Sequence, residues 1–153
     1  MSVEAVKEFF LRKEKEFPIL KFEDISTVAK AAESLGVTPG EIAKSLLLKV
    51  NDDFVMVMMA GDKKLDNRKF KDTFKGKAKM PALEQVLEVT GHPVGGVCPF
   101  GLKQAIPVYL DESLKQYAEV FPAAGAPDAA VKLAIEELEE LVATDWVDVT
   151  QGT

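Results

Sequence analysis

One cysteine and one histidine in 153 residues leave little room for thiol or metal chemistry. A lone thiol excludes an internal disulfide and any cysteine-rich zinc site, and with one imidazole a zinc ion would have to lean on carboxylates. The expectation is a reducing, cytoplasmic setting with no structural metal. Nowhere does an apolar run approach the roughly 20 residues of a membrane-spanning helix. The start, Met1 to Glu8, is amphipathic and charged rather than a signal peptide, so no membrane partner is expected. Positive charge is also short: 19 Lys and Arg against 25 Asp and Glu give a formal charge of −6. Phosphate binding rests on Lys and Arg, so this balance excludes a general nucleic-acid coat protein and argues against DNA.

Hydrophobic residues make up 47% of the chain, enough to bury the core of one domain spanning residues 1–153. The charge is uneven. Between Asp62 and Met80, Lys63, Lys64, Arg68, Lys69, Lys71, Lys75, Lys77 and Lys79 face only Asp62, Asp66 and Asp72; eight against three is +5, which leaves −11 elsewhere. Such a cluster serves either as a solvated helix face or as a contact to the backbone of a structured RNA.

Val3, Val6 and Phe10 recur at helical spacing and predict a helix from Ser2 to Glu16, followed by a short strand over Phe17 to Phe22. Ser26 suits the cap of a helix from Thr27 to Leu35, closed by Gly36. Thr38, Pro39 and Glu41 mark a fresh short helix. The apolar runs Ser45 to Val50 and Phe54 to Met59, separated by Asn51, Asp52 and Asp53, predict a hairpin. Helices are expected over Asp66 to Phe74 and Pro81 to Val89, a strand over Ile106 to Leu110 and a short helix from Glu112 to Tyr117. Ala130 to Leu133 reads as a strand, Ala134 to Leu141 as a helix with an acidic outer face, and Trp146 to Val149 as a closing strand. The expected class is α/β with a mixed sheet.

Four features could carry chemistry. Lys44 leads into the apolar run Leu46 to Leu48, where it must either snorkel to the surface or enter a polar cavity. Thr90 to Gly101 holds four glycines, two prolines, His92 and Cys98 within twelve residues. In it, Gly95 and Gly96 can aim N–H groups at a carbonyl oxygen, or simply form a tight bulge. His92 and Cys98 could meet as base and nucleophile; a buried, inert cysteine beside a loop-ordering histidine is the other reading. The turn at Gly125, Ala126 and Pro127 could fold towards the first glycine loop and complete a cleft.

Taken in order, Ala43-Lys44-Ser45-Leu46, Thr90-Gly91-His92, Gly95-Gly96-Val97-Cys98-Pro99-Phe100-Gly101 and Ala124-Gly125 resemble the YbaK family. These are aminoacyl-tRNA deacylases related to the editing domain inserted in bacterial prolyl-tRNA synthetase. The resemblance covers nearly the whole chain. It implies a curved, barrel-like mixed sheet flanked by helices, with a pocket between the two glycine loops. It also implies hydrolysis, in trans, of the ester joining a mischarged small amino acid to a tRNA, with no cofactor. Lys44 would hold the terminal nucleotide or the carbonyl, and main-chain groups of Gly95 and Gly96 would orient the aminoacyl group. Thr90, Gly91, His92, Cys98, Pro99, Gly101 and Gly125 would border the substrate, and Lys63, Lys64, Arg68, Lys69 and Lys71 would hold the tRNA acceptor end. An aminoacyl-tRNA synthetase is the implied protein partner. Many members have tyrosine or another residue in place of His92, and serine in place of Cys98, which leaves the amino acid open. Two other readings stand beside this one: a silent module binding tRNA or an aminoacyl-adenosine-like ligand, and a Cys98/His92 thiol hydrolase.

Overall fold

In a computed structural model, residues 2–151 are described. Along the chain run α1 (Ser2–Arg12), β1 (Leu20–Lys21), α2 (Val28–Leu35), β2 (Ile42–Val50), β3 (Asp53–Ala60), α3 (Asn67–Phe74) and α4 (Leu83–Thr90). They are followed by β4 (Val108–Asp111), β5 (Glu119–Pro122), β6 (Ala129–Ala130), β7 (Leu133–Ala134), α5 (Ile135–Val142) and β8 (Asp145–Val147). Single 3₁₀ turns occupy Pro39–Glu41 and Glu112–Gln116.

The β2–β3 hairpin is the spine. Asn51 and Asp52 both take positive φ, 49° and 69°, which is the backbone of a two-residue turn whose twist matches the flanking strands. Register then runs without interruption from Val50 opposite Asp53 to Ala43 opposite Ala60. Val55 to Ala60 is buried throughout, as a central strand covered on both faces should be. Around it the order is β7-β5-β2-β3-β4-β8, with β2–β5, β3–β4 and β4–β8 parallel and the other pairs antiparallel. The mixed sheet curls into a half-barrel flanked by helices, as expected.

Three anchors hold the ends. Phe10 of α1 packs against Phe100 and Phe17 with ring centroids 4.9 and 5.1 Å apart, which seats α1 over the glycine loop. The buried Asp111 carboxylate accepts from Ser113 N, Val149 N and Thr150 Oγ1 at 2.9, 2.8 and 2.9 Å, and so ties the C-terminal segment to β4. Gly36 closes α2 in the left-handed conformation, as its position in the sequence suggested, and Gly91 closes α4 in the same way.

Several expected boundaries move. α1 ends at Arg12 rather than Glu16, because Glu14 takes φ 57° and turns the chain so that Phe17 reaches Phe10. Only Leu20 and Lys21 of the expected strand pair, since β6 offers two residues. Thr27, not Ser26, caps α2, accepting Lys30 N–H at 3.2 Å, while Ser26 N–H is taken by Asp24. β2 starts at Ile42 because β5 pairs with Ile42 and Ala43.

Candidate active site

A cleft of about 290 Å³ lies along one edge of β2. Val28, Ala31 and Leu35 of α2 form one wall; Met80, Leu83 and Val86 of α4 and the segment before it form the other. Val94, Gly95 and Val97 reach in from the glycine loop, and Phe121, Ala123 and Ala130 close the floor. Apart from three hydroxyl side chains, Ser26, Thr27 and Ser45, the lining is apolar, and Lys44 is its one charged residue among those described.

Lys44 lines the cleft beside Ser45. It is half-buried, and its ammonium donates to the carbonyl of Lys63, in the segment that follows β3. Burial pulls its pKa below the ordinary 10.5; the nearby Asp62 carboxylate opposes this, and Lys64 adds to it. Gly61 makes the close fit of that segment possible: a Cβ there would lie 2.4 Å from the Pro39 carbonyl oxygen. Lys44 is thus the one charged residue lining the cleft among those described, its ammonium held on a main-chain oxygen.

The two glycine loops do meet. Gly125 N–H donates to the Gly96 carbonyl at 3.0 Å, and Ser2 Oγ donates to the Gly125 carbonyl. The contact is so close that a Cβ on Gly96 would sit 2.4 Å from Ala126 N. Gly95 and Gly96 consequently differ. Gly95, at φ +92°, lines the cleft, and no hydrogen bond among the described residues takes up its N–H. Gly96 spends its N–H on the Pro93 carbonyl at 2.9 Å and serves as the seam between loops.

Most of the remaining loop residues support this arrangement from behind rather than border the cleft. Thr90 Oγ1 donates to Val86 O at 2.6 Å and accepts from His92 N at 3.0 Å; Gly91 caps α4. A Cβ on Gly101, at φ +66°, would lie 2.5 Å from the Ala5 carbonyl oxygen of α1. Pro99 is buried between Cys98 and Phe100.

His92 and Cys98 do come together, with Nε2 and Sγ 3.5 Å apart. Both are fully buried beneath α1, however, and neither lines the cleft. His92 Nε2 lies 2.7 Å from the Phe100 carbonyl, which assigns the ring N–H to that nitrogen and leaves it no lone pair for the thiol. Burial lowers the imidazole pKa and pushes the thiol up to about 12, so neither the thiolate nor a charged imidazolium is favoured.

The basic cluster is spread over two kinds of position. Lys64, Arg68 and Lys71 are exposed, and Lys63 is half-buried where its carbonyl receives Lys44. Lys69 instead pairs with Asp148 at 3.1 Å and donates to the Thr150 carbonyl at 2.8 Å, pinning the C-terminal segment.

The wall built by α2 and the rim at Met80 were not foreseen. Neither carries a motif in the sequence; in the structure Met80, Leu83 and Val94 stand 72, 70 and 58% exposed.

Against this geometry, the comparisons agree with one another. The family model for the aminoacyl-tRNA editing domain matches residues 23–141. An uncharacterized Bacillus subtilis protein, YwhH, is 44% identical over 152 residues, covering 97% of both chains. A Proline--tRNA ligase of Kosmotoga olearia is 34% identical over 106 residues, 69% of this chain but 18% of the ligase. EbsC of Enterococcus faecalis, described as a proposed Cys-tRNA(Pro)/Cys-tRNA(Cys) deacylase, is 31% identical over 138 residues, 89% of this chain and 84% of EbsC. A crystal structure of a proposed trans-editing enzyme for prolyl tRNA synthetase superposes with a TM-score of 0.92 at 29% identity, covering 99% of this chain and 98% of that one. The family model and the relatives agree, and the chain belongs to the aminoacyl-tRNA editing domain family.

Proposed function

We propose that this protein, acting as a single domain over residues 1–153, is a trans-acting deacylase that hydrolyses the ester of a mischarged small amino acid on tRNA. The observation that carries the reading is the cleft itself: a mostly apolar space of about 290 Å³ with Lys44 as its one charged lining residue among those described, and with Gly95, whose N–H no described group takes up, on its wall. This is equipment for holding an ester and its developing negative charge, not for supplying a strong base or nucleophile. Water is then the nucleophile, assisted by the vicinal hydroxyl of the terminal ribose. Lys44 holds the terminal nucleotide or the ester carbonyl, and Gly95 faces the same carbonyl.

The reaction fits a known physical limit. A synthetase pocket rejects an amino acid differing by one methylene by only about 10- to 200-fold, so a second, small pocket is useful for correction. Relatives that are parts of proline–tRNA ligases favour a tRNA handed over by such a synthetase, in the cytoplasm. Lys63, Lys64, Arg68 and Lys71 flank the Lys44 end of the cleft in sequence and are the candidates for the acceptor-stem phosphates, with Lys69 already engaged. The binding-module reading shares the site and differs only in turnover. The thiol-hydrolase reading is disfavoured by the sealed position of Cys98.

The test is deacylation of tRNAs charged with labelled alanine, serine, threonine, cysteine or proline, with Lys44→Ala alongside. Release from one or two of them, reduced roughly 100-fold in a folded variant, is the expected result. Flat time courses from folded protein would leave the binding module.

A further inference from the structure

The edge of β2 that lines the cleft is a strand edge with its hydrogen-bonding groups open. A two-residue turn makes Val50 and Asp53 a mutually bonded pair. With the uninterrupted register, Leu48, Leu46 and Lys44 also turn their N–H and C=O groups towards β3, and Lys49, Leu47, Ser45 and Ala43 turn theirs away. The Lys49–Lys79 bridge verifies this phase, since each N–H donates outward to the other's carbonyl at 2.9 Å. On the outward side, β5 covers Ile42 and Ala43, and Lys79 covers Lys49. Between these two covers, no hydrogen bond among the described residues takes up the main-chain groups of Ser45 and Leu47.

The cleft fills that gap. Lys44, Ser45, Leu46 and Leu47 all line it in succession, which a strand does by its edge and not by one face. An open edge inside a cleft is a template for whatever carries a matching donor and acceptor. Leu47 is packed with Val86 and Val89 of α4, whereas Ser45 adjoins Lys44, and its buried hydroxyl also has no partner.

An α-aminoacyl ester has the same N–Cα–C=O unit as a residue in a strand. Its ammonium needs an acceptor, and no carboxylate lines the cleft among the described residues. We infer that the aminoacyl group pairs with Ser45 as a one-residue strand, its α-ammonium donating to the Ser45 carbonyl and its ester carbonyl accepting the Ser45 N–H. This rests on the deacylase reading above and specifies how its site holds the substrate: by the main chain of Ser45 on the open edge of β2. The Ser45 and Gly95 N–H groups then approach one carbonyl from two elements, and Lys44 stays clear of the ammonium by its hold on Lys63. N-acylated and α-hydroxyacyl groups offer the Ser45 carbonyl only a neutral donor, so they pair with it more weakly than the ammonium does.

The experiment uses the full ¹⁵N-labelled chain and the non-hydrolysable probe 3′-(L-alanylamido)-3′-deoxyadenosine. On binding, the Ser45 amide resonance should shift and its hydrogen exchange slow by roughly tenfold or more. The N-acetyl and α-hydroxy counterparts should bind roughly tenfold more weakly, the difference between a charged and a neutral hydrogen-bond donor. Binding with an unmoved Ser45 amide, an N-acetyl probe that binds equally well, or no binding of the amine probe would each overturn the inference. Hydrolysis of charged tRNA with an unmoved Ser45 amide would keep the deacylase and discard the edge. Ser45 protection without hydrolysis would keep the edge and discard the deacylase.

Discussion

The loop from Thr90 to Gly101 has two sides, and they have opposite characters. Its inner side carries the residues a chemist would choose first, His92 and Cys98, 3.5 Å apart and fully buried under α1. Its outer side presents Val94, Gly95 and Val97 to the cleft, two aliphatic side chains and a bare backbone. The thiol is pushed up to about 12 by burial, while the lysine across the cleft is only half-buried and keeps a carboxylate nearby. Reactive side-chain type and access to substrate are thus separated within twelve residues. What decides a site is which groups meet solvent in a fixed geometry; the residues with the richest chemistry here fill space.

Gly96 joins the two sides, so it is where the contrast breaks most easily. Gly96→Ala would place a Cβ 2.4 Å from Ala126 N, 2.6 Å from Ala126 Cα and 2.7 Å from Gly125 C, all of it backbone that must move. A destabilisation of about 2–3 kcal/mol is expected from such overpacking, measured by urea unfolding. Activity should fall as well, since the loop that carries Gly95 is displaced. Gly95→Ala meets only the Ser26 and Pro127 side chains, at 3.1 Å and beyond, but forces a non-glycine residue to φ +92°. It should cost about 1–2 kcal/mol, less than the change at Gly96. Equal stability for Gly96→Ala and wild type would mean the loops are not joined as described.

This division explains what could be read from the sequence. The hairpin, the glycine cap on α2 and the order of elements were legible because turn and cap chemistry is local: Asn51 and Asp52 set their turn, and Gly36 its helix end. Lys44 and the two glycine loops were legible through family resemblance. The direction in which His92 and Cys98 point was not, because it is settled by α1, whose Phe10 arrives from some ninety residues away to stack on Phe100. Neither was the second wall of the cleft, since Val28, Ala31 and Leu35 look like any inward helix face until β5 stops short and leaves the β2 edge open.

The basic cluster divides in the same manner, with a smaller effect. Lys71→Glu should leave stability unchanged, raise KM for charged tRNA about threefold at low salt and reduce the salt slope by about one. Lys69→Glu removes the contacts to Asp148 and the Thr150 carbonyl and sets two acids side by side. Its main consequence should be a Tm lowered by about 2–4 °C. If Lys69→Glu raises KM as much as Lys71→Glu with no change in Tm, its ion pair does not hold the C-terminal segment and the lysine belongs with the RNA contacts.

The smallest effect is the one that tests the inner side directly. Cys98→Ser replaces a fully buried thiol that is 3.8 Å from the Phe100 carbonyl by a hydroxyl of similar size that can still donate there. Deacylation should stay within about twofold of wild type, because no step of a water-mediated, substrate-assisted hydrolysis passes through the sulfur. Iodoacetamide should likewise leave the native protein active, and alkylation should follow the rate of unfolding rather than the thiol's own reactivity, since a pKa near 12 leaves almost no thiolate at neutral pH. Rapid inactivation that Cys98→Ser abolishes would instead place the thiol in contact with solvent and substrate. It would transfer the chemistry to the inner side of the loop, leaving Lys44 and the open edge of β2 to bind and position the ester.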